Sequence, residues 1–391
     1  MSSFLKYSIA LFLLPFLLLG AGWRGDGSGR FPSANPPISW SETKNIIWRA
    51  NIGKSYSTPV ISGDKMFCAS EPDILSCIEK STGKILWSKR TGLGDIPQPD
   101  RAKWKPVTLT MGYSIPTPVC DGTNVYVLFG SGIAACYSVG GDVKWVSLFQ
   151  FPRANEYGRI PSPVLAGGKL FIFVDHLFAL DPADGRTLFE VKEAKELYGT
   201  PAVVHFGAKD YLATSDGLLI EASSGKVLLS GIGNVTNNSP VADGDCVYFI
   251  DSVSNKVQLV PGKDGPEVKE LWNSSLQGDE FFASPLIDSG FVYTVSNNAI
   301  FSVLDGQTGA PILSKKLDIV PYLYQSLSLA GKAIFLGNNL GRTAVIEPGK
   351  EGKVLSLNNL SLGSESTPVF ENNGDRAYFR GGDFLYCIGE K

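Results

Sequence analysis

Two histidines and six cysteines are the side chains of this 391-residue chain best suited to acid–base, metal or redox work. His176, in FVDHLF, and His205, in VVHFGA, stand near turns, and neither belongs to an HxH, HExxH or mixed Cys/His set. Metal binding by them is therefore not expected. No GxSxG elbow and no phosphate-binding GxxxxGK[ST] loop occurs, so no catalytic residue is assigned. The cysteines form no CxxC or adjacent pair. Cys77 and Cys387 hold matching places in ILSCIE and FLYCIG, where LFALD carries Ala179, which points to cysteine as a small apolar residue. Cys68 and Cys77, on neighbouring strands of one hairpin, are the pair to test for a disulfide.

Binding chemistry has better candidates. Just ahead of a recurring Ser/Thr-Pro phrase stand Tyr56, Tyr113, Tyr157, Tyr198, Asn238, Phe282, Tyr324 and Glu365, with Arg159 two residues beyond Tyr157. These positions are expected to crowd one rim of a central channel. Such a ring could stack on a sugar or grip a peptide. Alternatively it plugs the channel and ties neighbouring units together. Two segments interrupt the regular spacing. Residues 91–114 place Trp104 between Lys103 and Lys105, a candidate partner-contact loop. Residues 151–162 bring Arg153, Glu156 and Arg159 close in sequence, which suits an internal salt bridge as well as an anionic ligand.

The elements that position these residues repeat. The phrase appears as STPV with Pro59, PTPV with Pro118, PSPV with Pro163, GTPA with Pro201, NSPV with Pro240, ASPL with Pro285 and STPV with Pro368. The last gap is nearly twice the usual one, and YQSLSLAGKAIFLGNN fills it, with Ser326 and Leu327 in place of Ser-Pro. Eight copies result. Each reads as a four-stranded antiparallel meander, with 43 Gly and 24 Pro punctuating short apolar runs. Gly83, Gly141, Gly185, Gly225 and Gly309 hold a turn that needs positive φ.

Four residues after that glycine comes a bulky apolar side chain: Trp87, Trp145, Phe189, Leu229 or Leu313. With Trp48 and Trp272 these are expected to dock one blade on the next. A tryptophan hidden there removes about 150–250 Å² from water, roughly 4–6 kcal/mol before entropy is charged. A blade alone cannot hide both faces, so the copies must stack in a ring. The last copy ends after three strands, and NIIWRANIG, with Trp48, supplies the fourth. The fold class is therefore all-β: an eight-bladed β-propeller spanning 45–391, closed by its N-terminal strand.

Ahead of the ring, residues 1–22 read as a signal peptide, with Lys6 before an apolar stretch interrupted by Pro15, and residues 23–44 as an extended segment. That stretch is too short for a comfortable membrane span, and no cysteine precedes Cys68 to carry a lipid. The expected location is periplasmic or secreted. Net charge is −3 and there is no basic run, so nucleic acid is not an expected partner. The protein is expected to be monomeric and to meet another envelope or secreted protein.

From Trp23 onward the chain resembles the PQQ-binding-like β-propeller repeat proteins, abundant among exported proteins of planctomycete-like bacteria. The residues that carry the likeness are WRGDGSG at 23–29, WSETKNIIWRANIG at 40–53, STPVISGDKMF, TGKILW and FRGGDFLYCIG. Two branches of this group bracket what the resemblance implies. In the quinoprotein dehydrogenases such a ring holds pyrroloquinoline quinone (PQQ) and calcium. BamB is instead a periplasmic scaffold in outer-membrane protein assembly. A quinone site needs cations for three carboxylates, oxygen ligands for Ca²⁺ and a base, and this sequence offers little of that set. The sequence favours a non-catalytic, BamB-like interaction module without a cofactor, ahead of a PQQ-dependent dehydrogenase or a carbohydrate-binding propeller.

Overall fold

Proline opens seven of the eight repeats because the innermost strand of a blade is an edge facing the channel, where a residue without an N–H costs no ladder bond. In the computed structural model, which describes residues 21–96, 100–103, 115–149, 160–195, 198–263 and 265–390, Pro59 leads into Val60–Ser62. Lys65–Ser70, Ile74–Glu79 and Ile85–Arg90 follow in order outward to complete blade 1. The same order recurs in sheets that begin at Val119–Cys120, Val164–Ala166, Ala202–Phe206, Val241–Asp243, Leu286–Asp288, Ser328–Ala330 and Val369–Phe370. The molecule is an eight-bladed propeller, and the blade inferred at Ser326 is among its eight. Among the described residues, helical structure is limited to two 3₁₀ turns, Leu93–Asp95 and Asp100–Lys103, and no helix is long and apolar enough to cross a membrane.

The chain ends share blade 8. Ile46–Asn51 pairs antiparallel with Phe384–Ile388, setting Trp48 opposite Cys387 and Arg49 opposite Tyr386. Buried Arg380 reinforces this seam by donating to Ser55 O at 3.3 Å and Ala69 O at 3.2 Å in blade 1.

Docking residues and turn glycines form one device. Trp48, Trp87, Trp145, Phe189 and Trp272 lie against Gly83, Gly141, Gly185, Gly225 and Gly309 of the following blade, where a Cβ would stand 2.5–3.0 Å from the ring. The φ angles of those glycines, 72° to 99°, independently favour glycine. Each indole also donates to the same turn, as Trp145 Nε1 does to Pro182 O at 2.9 Å and Trp272 Nε1 to Gly306 O at 3.2 Å. Leu313 meets Gly352 in the same way, while Leu229 is half-buried in the core between blades 4 and 5. Trp145 and Trp272 are buried; Trp48, Trp87 and Phe189 are half-buried.

The cysteines belong to this packing. Cys387, Cys77 and Cys136 are the cross-strand partners of Trp48, Trp87 and Trp145, and Ala179 is that of Phe189. A small side chain opposite the ring leaves it room. All six thiols are buried and free, so the Cys68–Cys77 pair singled out for a disulfide test is unbridged. Cys68 faces Ser76 and Cys77 faces Phe67, so the two thiols leave opposite faces of the sheet.

Blade 7 departs from four strands. Arg30–Phe31 adds a fifth, parallel to its inner strand, with Arg30 beside Leu329 and Phe31 beside Ala330. The segment that carries it crosses one end of the channel. Ala21 exchanges two backbone bonds with Cys120 of blade 2, and Arg24, fully buried, donates to Pro285 O at 2.8 Å and Leu327 O at 2.7 Å in blades 6 and 7. Arg30 reaches Asp243 of blade 5 at 2.9 Å. Desolvation pulls the Arg24 guanidinium down to about 9, opposed by nearby Asp26. Further along, Trp40 sits between Phe335 of blade 7 and Phe379 of blade 8, at centroid distances of 6.1 and 5.0 Å. That is where the outer strand of blade 7 offers only Ser356 opposite Val345.

Candidate functional site

The inner strands surround a cavity of about 640 Å³, built in tiers because alternate residues of an extended chain face the same way. One tier consists of the hydroxyl residues of the repeated phrase: Thr58, Thr117, Ser162, Thr200, Ser239, Ser284, Ser326 and Thr367. The backbone N–H of each donates to the hydroxyl oxygen of the next. Seven successive bonds of 2.9–3.3 Å run from Thr58 to Thr367. This ring explains why Ser or Thr precedes the proline position in all eight copies, including the copy in which proline is replaced by Leu327. Each hydroxyl that accepts a neighbour's N–H keeps its own proton for the channel.

Two residues earlier in each blade lies the second tier: Tyr56, Ile115, Ile160, Tyr198, Asn237, Phe282, Tyr324 and Glu365. Phe282 and Tyr324 form a paired platform, with centroids 4.7 Å apart. Two residues earlier again, Glu280 and Tyr322 stand at the mouth. At the inner end is Trp23, which also borders a second cavity of about 300 Å³ on the far side of the N-terminal segment. The channel is therefore a cup, with the Trp23–Arg24 segment crossing its inner end.

Of the rim residues expected from sequence, the structure brings Tyr56, Tyr198, Asn238, Phe282, Tyr324 and Glu365 around this one cavity. Asn238 is one step out of phase. Its amide donates to Ile250 O and Phe281 O, both at 3.0 Å, tying blade 5 to the chain entering blade 6. Asn237 takes the tier position instead. In blades 2 and 3 the tier positions belong to Ile115 and Ile160. Tyr113, Tyr157, Arg159, Trp104 and Lys105 lie outside the described residues. Lys103 ends the 3₁₀ turn Asp100–Lys103, and only its backbone position is described. Glu280, Tyr322 and Asn339 also line the cavity and were missed; extending the period of two by one step would have found the first two.

The histidines stay apart from the cup's lining. His176 faces Glu190 at 3.1 Å and Asp175 at 3.5 Å on blade 3, while His205 meets Asp210 at 2.6 Å on blade 4. Among the described residues no group of three or more His, Cys, Asp or Glu is arranged to hold a metal. The described lining of the cup includes Glu280 and Glu365 and no Lys, Arg or His. A tricarboxylate quinone would meet carboxylates there where it requires cations, so these residues do not fit PQQ.

A family model described as outer membrane protein assembly factor BamB matches residues 38–172 and 141–354. The chain belongs to this family. Among solved structures, this BamB-family chain is similar to BamB from Moraxella catarrhalis, at 15% identity and a TM-score of 0.64, over 88% of this chain and 97% of that one. It is similar to the computationally designed Ika8 protein at 10% identity and a TM-score of 0.58, over 87% and 99%. Quinohemoprotein alcohol dehydrogenase from Comamonas testosteroni aligns at 12% identity and a TM-score of 0.58, over 90% and 78%. At such identities these structures share the fold with the BamB-family chain. No curated protein sequence matches it.

Proposed function

We propose that this propeller is an exported, envelope-associated interaction module that docks a partner protein beside the mouth of its channel and catalyses no reaction. The observation that carries the reading is an apolar patch on blade 7 and its flanking linkers. Val320, Tyr322, Leu340 and Leu362 are 43%, 56%, 54% and 46% exposed. They are neighbours: Asn338 Nδ2 donates to Val320 O at 3.2 Å, Asn339 N to Tyr322 O at 3.4 Å, and Gly341 packs on the backbone of Leu360 and Leu362. A monomer gains nothing by exposing four large apolar side chains together, whereas a partner with an apolar segment would cover them. Membership of a family described by an outer-membrane assembly factor supports the same reading. The leader, read as a cleaved export signal, places the module in the periplasm or outside the cell, and the ring works as a monomer without a cofactor.

The test is photo-crosslinking in envelope preparations with benzoylphenylalanine at Leu340 or Leu362, and at Leu188 on the outer strand of blade 3 as control. A single partner captured from the first two positions and absent from the third is the expected result. Equal capture at all three, or quinone-dependent dye reduction by the purified protein, would overturn the reading.

A further inference from the structure

The cup has no assigned ligand, and its construction specifies one. We infer that it binds a neutral saccharide of one to three rings, entering at the Tyr322 and Glu280 mouth and ending on Trp23. Size is the first argument. A cavity of about 640 Å³ falls within the range that holds small ligands of roughly 300–1,000 Å³. The described aromatics Tyr56, Tyr198, Phe282 and Tyr324 line this space. Because the Trp23–Arg24 segment crosses the inner end, a polymer could enter only by its tip.

Chemistry is the second argument. The hydroxyl tier presents donors fixed in position, since seven of the eight oxygens are held by a neighbouring blade's N–H. Above them Tyr56, Tyr198 and the Phe282–Tyr324 platform offer aromatic surface. A pyranose has the complementary pattern, with apolar C–H faces for the rings and equatorial oxygens for the hydroxyls. An anionic ligand would face Glu280 and Glu365 with no described cation in the lining. A purely apolar ligand would strand the hydroxyl donors, at about 1–3 kcal/mol for each one desolvated without a partner.

The experiment uses the full exported chain on an array of immobilised neutral mono- to trisaccharides, with acidic sugars and free PQQ as separate arms, followed by solution titration of the hits through tryptophan fluorescence. The proposal expects saturable binding of at least one neutral saccharide, with Kd of about 1 mM or tighter. Phe282→Leu, which keeps apolar packing, and Tyr198→Ala should each weaken it at least about tenfold, a loss of roughly 1.4 kcal/mol, while circular dichroism stays unchanged. Leu188→Ser on the perimeter should leave it unaltered. No neutral hit, a preference for the acidic arm or PQQ, or binding unaffected in both cup variants would each overturn the inference. These outcomes are independent of the crosslinking at Leu340 and Leu362.

Discussion

Trp145 lies on Gly185 of the next blade so closely that a Cβ there would stand 2.5 Å from Trp145 Cδ2, and its Nε1 donates to Pro182 O of the same turn. Glycine is thus required twice at one position, by its φ of 72° and by the ring above it. Gly185→Ala should cost about 2–4 kcal/mol, combining backbone strain with overpacking. Trp145→Ala should cost about 3–5 kcal/mol. Placed together, the glycine change should add only about 1–2 kcal/mol, the strain that remains once the ring is gone. Denaturant unfolding of the double-mutant cycle measures this coupling.

The hydroxyl ring makes a narrower prediction. Thr200→Val keeps the shape but leaves Ser162 N without its acceptor, and should lower stability by about 1–3 kcal/mol. Thr200→Ser restores the acceptor and should sit close to the parent. Thermal melts of the pair separate a lost hydrogen bond from lost volume.

Asp73 gives the protein a pH signature. Burial pushes its carboxyl up to about 6, against a hydrogen bond from Ser131 Oγ at 3.0 Å that pulls it down. The folded state holds this proton more tightly than the unfolded chain does. The resulting stabilisation is complete below pH ~4 and fades as pH rises through about 6. Asp73→Asn, which can still accept from Ser131, should therefore be more stable than the parent at pH 7 by about 1–2 kcal/mol after screening, and should flatten the profile between pH 4 and 6. Unfolding midpoints across that window check both sign and size.

The thiols should be inert until the ring opens. Burial pushes Cys68, Cys136 and Cys387 up to about 12 and Cys77 and Cys246 to about 11. Alkylation should leave the native protein unmodified and add six labels after denaturation. Mass spectrometry distinguishes this from a Cys68–Cys77 disulfide, which would remove two labels.

Much of the ring could be read from the sequence because its strongest forces act locally. The turn glycine and the aromatic four residues later recur at fixed spacing, so blade count, docking faces and the shared last blade followed from them. The cup was less legible. Side-chain direction alternates with every residue, and choosing Asn238 over Asn237 amounts to a slip of one residue within that alternation. The hydroxyl ring left its mark in every phrase but was taken for part of a strand start. Arg24 and Trp40 stand in the motifs WRGDGSG and WSETKNIIWRANIG, but their contacts could not be read there, because the partners lie in blades 6 to 8, hundreds of residues away. The cysteine pair failed for a reason of geometry: proximity on a hairpin is not enough when the two residues face opposite ways.

The account rests on a circle closed by the two ends of the chain, and a cross-link tests that closure directly. Asn51 and Phe384 are facing partners in the closing pair of strands. Asn51→Cys with Phe384→Cys should oxidise to an intramolecular disulfide that alters mobility on a non-reducing gel and raises the unfolding midpoint. Two thiols that stay reactive and unbridged under oxidising conditions would contradict the closed ring.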